Sequence, residues 1–262
     1  MLALIAGTGA LPAALLARIN RPVIVCAMDR FAPEVPVDLP FRIEHLGSFL
    51  NALTARGVTE ICMAGAVRRP VVDPAQIDAA TRPLVPQIQA AIAQGDDGAL
   101  RAIIAIFESH GMAVKAAHDI APDLLPPSGV LTSRESPKGA ESDAQAGAAA
   151  LLGMGAADRG QACVVCTGDV IAREGPDGTD AMMASLDGRG AGAILFKGPK
   201  PQQDRRADLP VIGPETVEAV IAANLAGIVI VASGVMVLDR GRVVDALNAA
   251  GKFLWVRESE TP

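Results

Sequence analysis

Leu2-Ala3-Leu4-Ile5-Ala6-Gly7-Thr8-Gly9-Ala10-Leu11-Pro12 opens the chain, and apolar residues continue at helical spacing to Ile19. A short apolar run closed by Gly-Thr-Gly reads as a buried strand and a tight turn, and the spacing after it reads as a helix. The pair is the first half of a βαβ unit. Downstream the pattern recurs, with Pro22 to Ala27 as a strand, Ser48 to Arg56 as a helix and Glu60 to Ala64 as a strand ending in Gly65. Such alternation predicts a parallel sheet with right-handed crossovers, a Rossmann-like arrangement.

Two helices are expected next, Pro74 to Ala93 and Asp97 to His110, separated by Gln94-Gly95-Asp96 with Asp96 as N-cap. Prolines, serines and glycines then crowd between Pro122 and Gly139, where few apolar residues are periodic. That composition predicts a linker at 122–139, dividing an N-terminal α/β domain (1–121) from a C-terminal α/β domain (140–262). The second domain is expected to hold a helix at Ser142 to Met154, strands at Ala162 to Cys166 and Ala193 to Phe196, and a helix start at Thr179. It continues with a helix at Glu215 to Ala223, strands at Gly227 to Val231 and Val235 to Leu238, a helix at Arg242 to Ala250 and a strand at Phe253 to Val256.

The 262 residues, half of them apolar, suffice to bury one large or two modest cores. Tyr is absent and aromatics are 3% of the chain, which favours close packing of helices on aliphatic strands. A net charge of −6 without a Lys/Arg block argues against nucleic acid as a partner. Each apolar stretch is broken before the roughly 18 residues that span a bilayer. With four scattered cysteines and no signal peptide before Leu2, the expectation is a reduced, cytoplasmic protein.

Gly7-x-Gly9 after a first strand is the beginning of a phosphate-cradling turn, with Gly9 and Ala10 as the candidate contacts. The third glycine of the dinucleotide fingerprint is missing, so a plain tight turn or another nucleotide pocket is favoured over an NAD site. Cys163-x-x-Cys166 lies in a strand, where residues three apart face opposite ways, and core thiols are the expected reading. His45 and His110 have structural surroundings, whereas His118 is read at a strand end, where open α/β sheets build sites.

The most informative segment is the charge-alternating run from Lys197 to Gly213. Lys197, Lys200, Arg205 and Arg206 can neutralise phosphate oxygens, while Asp204 and Asp208 can hold Mg²⁺ or orient a water for attack on phosphorus. Upstream, Glu174 to Met182 joins a turn (Gly178) to Thr179, Asp180 and a helix start, where Glu174 and Asp180 are further hard oxygen ligands. A solvated loop and simple helix capping are the alternatives.

In order along the chain stand Gly7-Thr-Gly9-Ala-Leu-Pro12, Gly65-Ala-Val-Arg-Arg-Pro70, Gly95-Asp96-Asp97 with Leu100-Arg101, Ala117-His118, Gly160-Gln161, Gly178-Thr-Asp180-Ala-Met182 and Lys197 through Gly213. This order resembles the LpxI-type UDP-2,3-diacylglucosamine pyrophosphatases along nearly the whole chain. The resemblance implies two α/β domains with the substrate between them, and Mg²⁺-dependent hydrolysis to UMP and 2,3-diacylglucosamine 1-phosphate in lipid A synthesis. It puts the family's essential carboxylate at Asp208, supported by Gln203, Asp204 and Arg206. Metal ligands would come from Asp208, Asp180 and Glu174, and substrate contacts from Gly9, Ala10, His118, Gly178, Thr179, Asp180, Lys197, Lys200 and Gln203.

Three positions depart from the pattern: Gln94, Thr167 and Val231 stand where a lysine and two glutamates are usual. An amphipathic UDP-linked lipid as partner suggests a peripheral contact with the inner membrane, and a homodimer is the commonest symmetric assembly. The rival readings are a Rossmann-type oxidoreductase or epimerase acting on a nucleotide sugar, handicapped by the absence of Tyr, and a non-catalytic nucleotide- or lipid-binding module.

Overall fold

A computed structural model describes residues 1–67, 70–92, 96–157, 159–200 and 203–258, without the side chains of 91–92 and 96–97. Gln94 and Gly95, read as a helix break, and Arg68 and Arg69 lie outside the described residues. The chain forms two compact units, Met1–Pro122 with Asp204–Asp208, and Asp123–Gln203 with Leu209–Pro262.

In the N-terminal unit the strands are β1 (Leu2–Ala6), β2 (Val23–Met28), β3 (Leu39–Phe41), β4 (Glu60–Ala64) and β5 (Ala113–Lys115). They pair in the order β3-β2-β1-β4-β5, all parallel, the order of a Rossmann half with its crossover point between β1 and β4. The helices are α1 (Leu11–Leu16), α2 (Leu46–Ala55), α3 (Val85–Ile92), α4 (Asp96–Ser109) and α5 (Ala117–Ile120). Leu50 and Leu53 of α2 and Ile104, Ile106 and Phe107 of α4 join Ala3, Cys26 and Ile61 in one core cluster.

The long helix expected from Pro74 is instead two single 3₁₀ turns, Pro74–Gln76 and Arg82–Leu84, ahead of α3. Pro74, Pro83 and Pro86 supply no N–H, and each disfavours helical dihedrals in the residue before it. Asp78 fills the gap, its carboxylate accepting from the Thr81 amide at 2.7 Å.

The C-terminal unit carries β6 (Gly129–Val130), β7 (Ala162–Cys166), β8 (Asp169–Arg173), β9 (Ile194–Lys197), β10 (Val211–Ile212), β11 (Gly227–Val231), β12 (Met236–Val237) and β13 (Phe253–Arg257). Its main sheet runs β6-β13-β11-β9-β7-β8, with β10 and β12 as a separate parallel pair. Strands β9, β11 and β13 are parallel to one another, whereas β7, β8 and β6 join antiparallel. The helices are α6 (Ala140–Ala156), α7 (Gly178–Ala184), α8 (Pro214–Ala222) and α9 (Arg240–Ala249). The Pro/Ser/Gly-rich stretch supplies β6, an edge strand whose Val130 pairs with Trp255.

Strand periodicity sorts the two sheet faces of this unit into separate cores. Val164 and Leu195 pack with α7, α8 and α9, and Cys163, Val165 and Phe196 pack beneath α6. No helix of the described residues is long and apolar enough to cross a membrane.

Candidate functional site

At the carboxyl end of β9, Lys197 points its ammonium at the Thr179 hydroxyl, 3.1 Å away. Thr179 donates in turn to Glu174, whose second carboxylate oxygen accepts the Gln161 amide. Four residues from β9, α7 and the two ends of the β7–β8 hairpin therefore share one polar network. Backbone fixes the frame: the Glu174 amide donates to the Ala162 carbonyl at 2.9 Å and the Gly198 amide to the Gln161 carbonyl at 3.1 Å. Gly160 sits at φ 55°, and a Cβ there would lie 2.6 Å from the Glu174 carbonyl oxygen, so this corner admits only glycine.

Helix capping, the alternative reading of Thr179, is not its use in the structure: its hydroxyl donates to Glu174, and the N-cap position, Asp177, makes no side-chain capping bond. Gly178 enters the helix at φ 87°, and its amide bonds Gly175. Asp180 is exposed in the first turn, while Met182 and Met183 anchor the far side in the core.

The second cluster lies in the charge-alternating run. Lys200 and Gln203 close a small loop, the Lys200 amide donating to the Gln203 side chain at 3.1 Å and the Gln203 amide to the Lys200 carbonyl at 3.2 Å. Then comes a turn at Asp204–Asp208, which belongs with the N-terminal unit. Arg206 grips Asp204 with two parallel bonds, Nε to Oδ1 at 3.0 Å and Nη2 to Oδ2 at 2.7 Å, and its amide also donates to Oδ1 at 3.0 Å. Those Arg206 bonds, against the opposing effect of burial, hold the Asp204 carboxyl below the usual carboxylate range. The Ala207 and Asp208 amides both donate to the Asp204 carbonyl, leaving Asp208 half-buried at the end of the turn.

At the carboxyl edge of the first sheet the start of the glycine turn ties two strands together. The Gly7 amide donates to Ala64 at 2.8 Å, and Thr8 and Ala66 exchange backbone bonds at 2.9 Å each. These bonds bridge β1 and β4 at the crossover point and consume two of the N–H groups an anion would need there. A Cβ on Gly7 would lie 2.5 Å from the Ala66 carbonyl oxygen, so close packing explains this glycine. Gly9, at φ 91°, has open space around it, and Ala10 leads into α1. His118, expected at a strand end, lies within α5, where Asp119 accepts from the Ala116 amide. Its Nδ1 is buried and lacks a hydrogen-bond partner.

Glu174, Thr179 and Lys197 are thus brought together, as are Asp204, Arg206 and Asp208. Of the three residues expected to ligate a metal, Asp208 belongs to one compact unit, and Glu174 and Asp180 belong to the other. Among the described residues no three His, Cys, Asp or Glu side chains converge. Glu174 already accepts two bonds from its own chain and serves the frame. A magnesium ion that takes one or two carboxylates and otherwise phosphate oxygens and water needs no such cage, and Asp208 or Asp180 fits that requirement.

Sequence reading missed Gln161, whose amide closes the first network, and Glu108, which binds Arg206 at 2.7 Å. Gly160-Gln161 was visible only as a landmark, and Glu108 is one of several charged residues on a helix.

Family models for the LpxI N-terminal domain and the LpxI C-terminal domain match residues 1–124 and 127–255 respectively. The chain belongs to the LpxI family. A curated LpxI, the UDP-2,3-diacylglucosamine pyrophosphatase of Caulobacter vibrioides, is 34% identical over 277 residues, covering 100% of this chain and 99% of that protein. The similarity to this LpxI therefore spans both units and both polar clusters.

Proposed function

We propose that the chain hydrolyses the pyrophosphate bond of UDP-2,3-diacylglucosamine, releasing UMP and 2,3-diacylglucosamine 1-phosphate, with Mg²⁺ as cofactor. The observation that carries this reading is the end-to-end similarity to a protein with that named activity. The chemistry of the charge-alternating run fits it: water forms a new P–O bond, the bridging P–O bond breaks, and protons leave with the phosphate products or solvent.

Asp208 is the carboxylate that holds the metal or orients the water. Lys197, Lys200 and Arg205 supply positive charge for the departing phosphate. Arg206 is shared between two carboxylates, Asp204 and Glu108. Bound Mg²⁺ would neutralise phosphate oxygens and make phosphorus more electrophilic. The acyl chains place the substrate in a bilayer, so the reading includes a cytoplasmic protein in peripheral contact with the inner membrane, and a homodimer.

Release of UMP from UDP-2,3-diacylglucosamine, measured with Mg²⁺ and then with EDTA, tests the activity and its metal together. The expected result is turnover abolished by EDTA and restored by Mg²⁺. Asp208→Ala should lose hydrolysis by about three orders of magnitude or more while keeping its circular dichroism spectrum. Near-normal turnover in that variant removes the assigned role. Substrate binding without UMP release by the native protein would favour a binding module.

A further inference from the structure

The turn at Asp204–Asp208 meets its unit through an apolar contact and a polar one. Ala207 packs on the core cluster that contains Ile104 and Phe107 of α4. One α-helical turn beyond Ile104 on the same helix, Glu108 accepts from Arg206 Nη1 at 2.7 Å, while the other edge of the guanidinium holds Asp204. We infer that Glu108 is a positioning residue for the hydrolysis, acting through Arg206 to set the turn that presents Asp208.

The geometry of arginine explains why this is a positioning contact. A guanidinium is a rigid plane, so fixing Nη1 on α4 fixes the direction of the Nε and Nη2 bonds to Asp204. Asp204 then anchors the Asp208 amide through its own carbonyl, at 3.3 Å. Two carboxylates against one guanidinium leave Arg206 little charge to offer a phosphate. Arg101 lies seven residues before Glu108, two turns along the same helix face, and helps to keep Asp204 ionised.

The Glu108 and Arg206 side chains are 45% and 40% exposed, so their bond adds little to global stability. An effect on turnover without an effect on melting is therefore the signature expected. The inference rests on the role of Asp208, and the test is arranged to separate the two.

The variants Glu108→Lys, Glu108→Asp, Arg206→Met, Arg206→Met with Glu108→Lys, and Asp208→Asn would be assayed for UMP release with Mg²⁺. Glu108→Lys, which repels Arg206, should lower kcat about tenfold, with KM within about twofold and an unchanged Tm, and Glu108→Asp should retain part of the activity. In the Arg206→Met background, Glu108→Lys should cost nothing further. Full activity in Glu108→Lys, an equal loss in both backgrounds, or a loss matched by a fall in Tm would each overturn the inference. If Asp208→Asn is inactive while Glu108→Lys is normal, the positioning role alone fails. If Asp208→Asn is normal, the reading of the site fails and the inference goes with it.

Discussion

Lys197 and Glu174 are coupled through a single oxygen atom, the Thr179 hydroxyl, which accepts from the ammonium at 3.1 Å and donates to the carboxylate. A hydroxyl is suited to this because it donates and accepts at once, and its two partners are oppositely charged. The arrangement helps to fix where the Lys197 charge sits at the end of β9.

Removing the hydroxyl should release Lys197. Thr179→Val preserves shape but removes the oxygen that both partners share, and hydrogen bonds to charged groups are worth about 1.5–3 kcal/mol. The expectation is a rise in KM for UDP-2,3-diacylglucosamine of roughly tenfold or more, with Thr179→Ser near wild type. Steady-state kinetics on the two variants check this; equal KM values would show that the hydroxyl does not position the cation.

Gly7 tests the glycine turn. Because its missing Cβ would fall 2.5 Å from Ala66 oxygen and 2.8 Å from Ala66 carbon, Gly7→Ala must push apart the backbones that bridge β1 and β4. Overpacking of this kind costs about 1–3 kcal/mol. A urea midpoint lowered correspondingly, with UMP release retained in the folded protein, is the expected outcome. If stability were unchanged and binding lost, the turn would be a ligand cradle after all.

Much of the fold was legible because hydrophobic period does not depend on tertiary context. Leu2 to Ala6, Glu60 to Ala64 and Gly227 to Val231 were read as strands and are strands. What escaped was short or set by partners. Leu39–Phe41 has three residues, too few for any period, and exists as a strand because β2 offers it an edge. The site divided similarly. Residue types at Glu174, Thr179, Lys197, Asp204 and Asp208 marked them as candidates for phosphate and metal chemistry, but which of them pair with each other depends on side-chain direction. Thr179 turning to Glu174 and Arg206 turning to Asp204 and Glu108 are facts of packing, invisible in spacing.

The cysteines offer a chemical check on strand geometry. Cys163 is fully buried under α6 and burial pushes its thiol up to about 12, as it does for Cys26 and Cys62. Cys166, three residues on, lies on the opposite face against the other core cluster and is only partly buried. Since the thiolate is the nucleophile, a disulfide reagent at pH 8 should modify one thiol in the native protein and four after denaturation. Cys166→Ser should abolish the native reaction, and rapid modification of two or more native thiols would contradict the assignment.

One contributor to acid stability is Glu44, which is 4% exposed at the junction between α2 and the 3₁₀ turn at Pro74. Burial alone would raise its carboxyl, but bonds outweigh it. The Asp73 amide donates at 3.1 Å and Arg42 Nε at 3.3 Å, and together with the Glu44 amide and the Arg42 charge they bring the group from 4.5 down to about 2. A carboxyl that is more acidic folded than unfolded stabilises the protein fully above the unfolded value and loses that contribution as pH falls through the folded one. The window is therefore from about 4.5 down to about 2. Urea midpoints measured at pH 7, 4 and 2.5 should fall more steeply for wild type than for Glu44→Gln, which starts lower at pH 7 because the amide has only one oxygen to satisfy two sets of donors. Parallel curves for the two proteins would mean that this carboxylate contributes nothing to the acid transition.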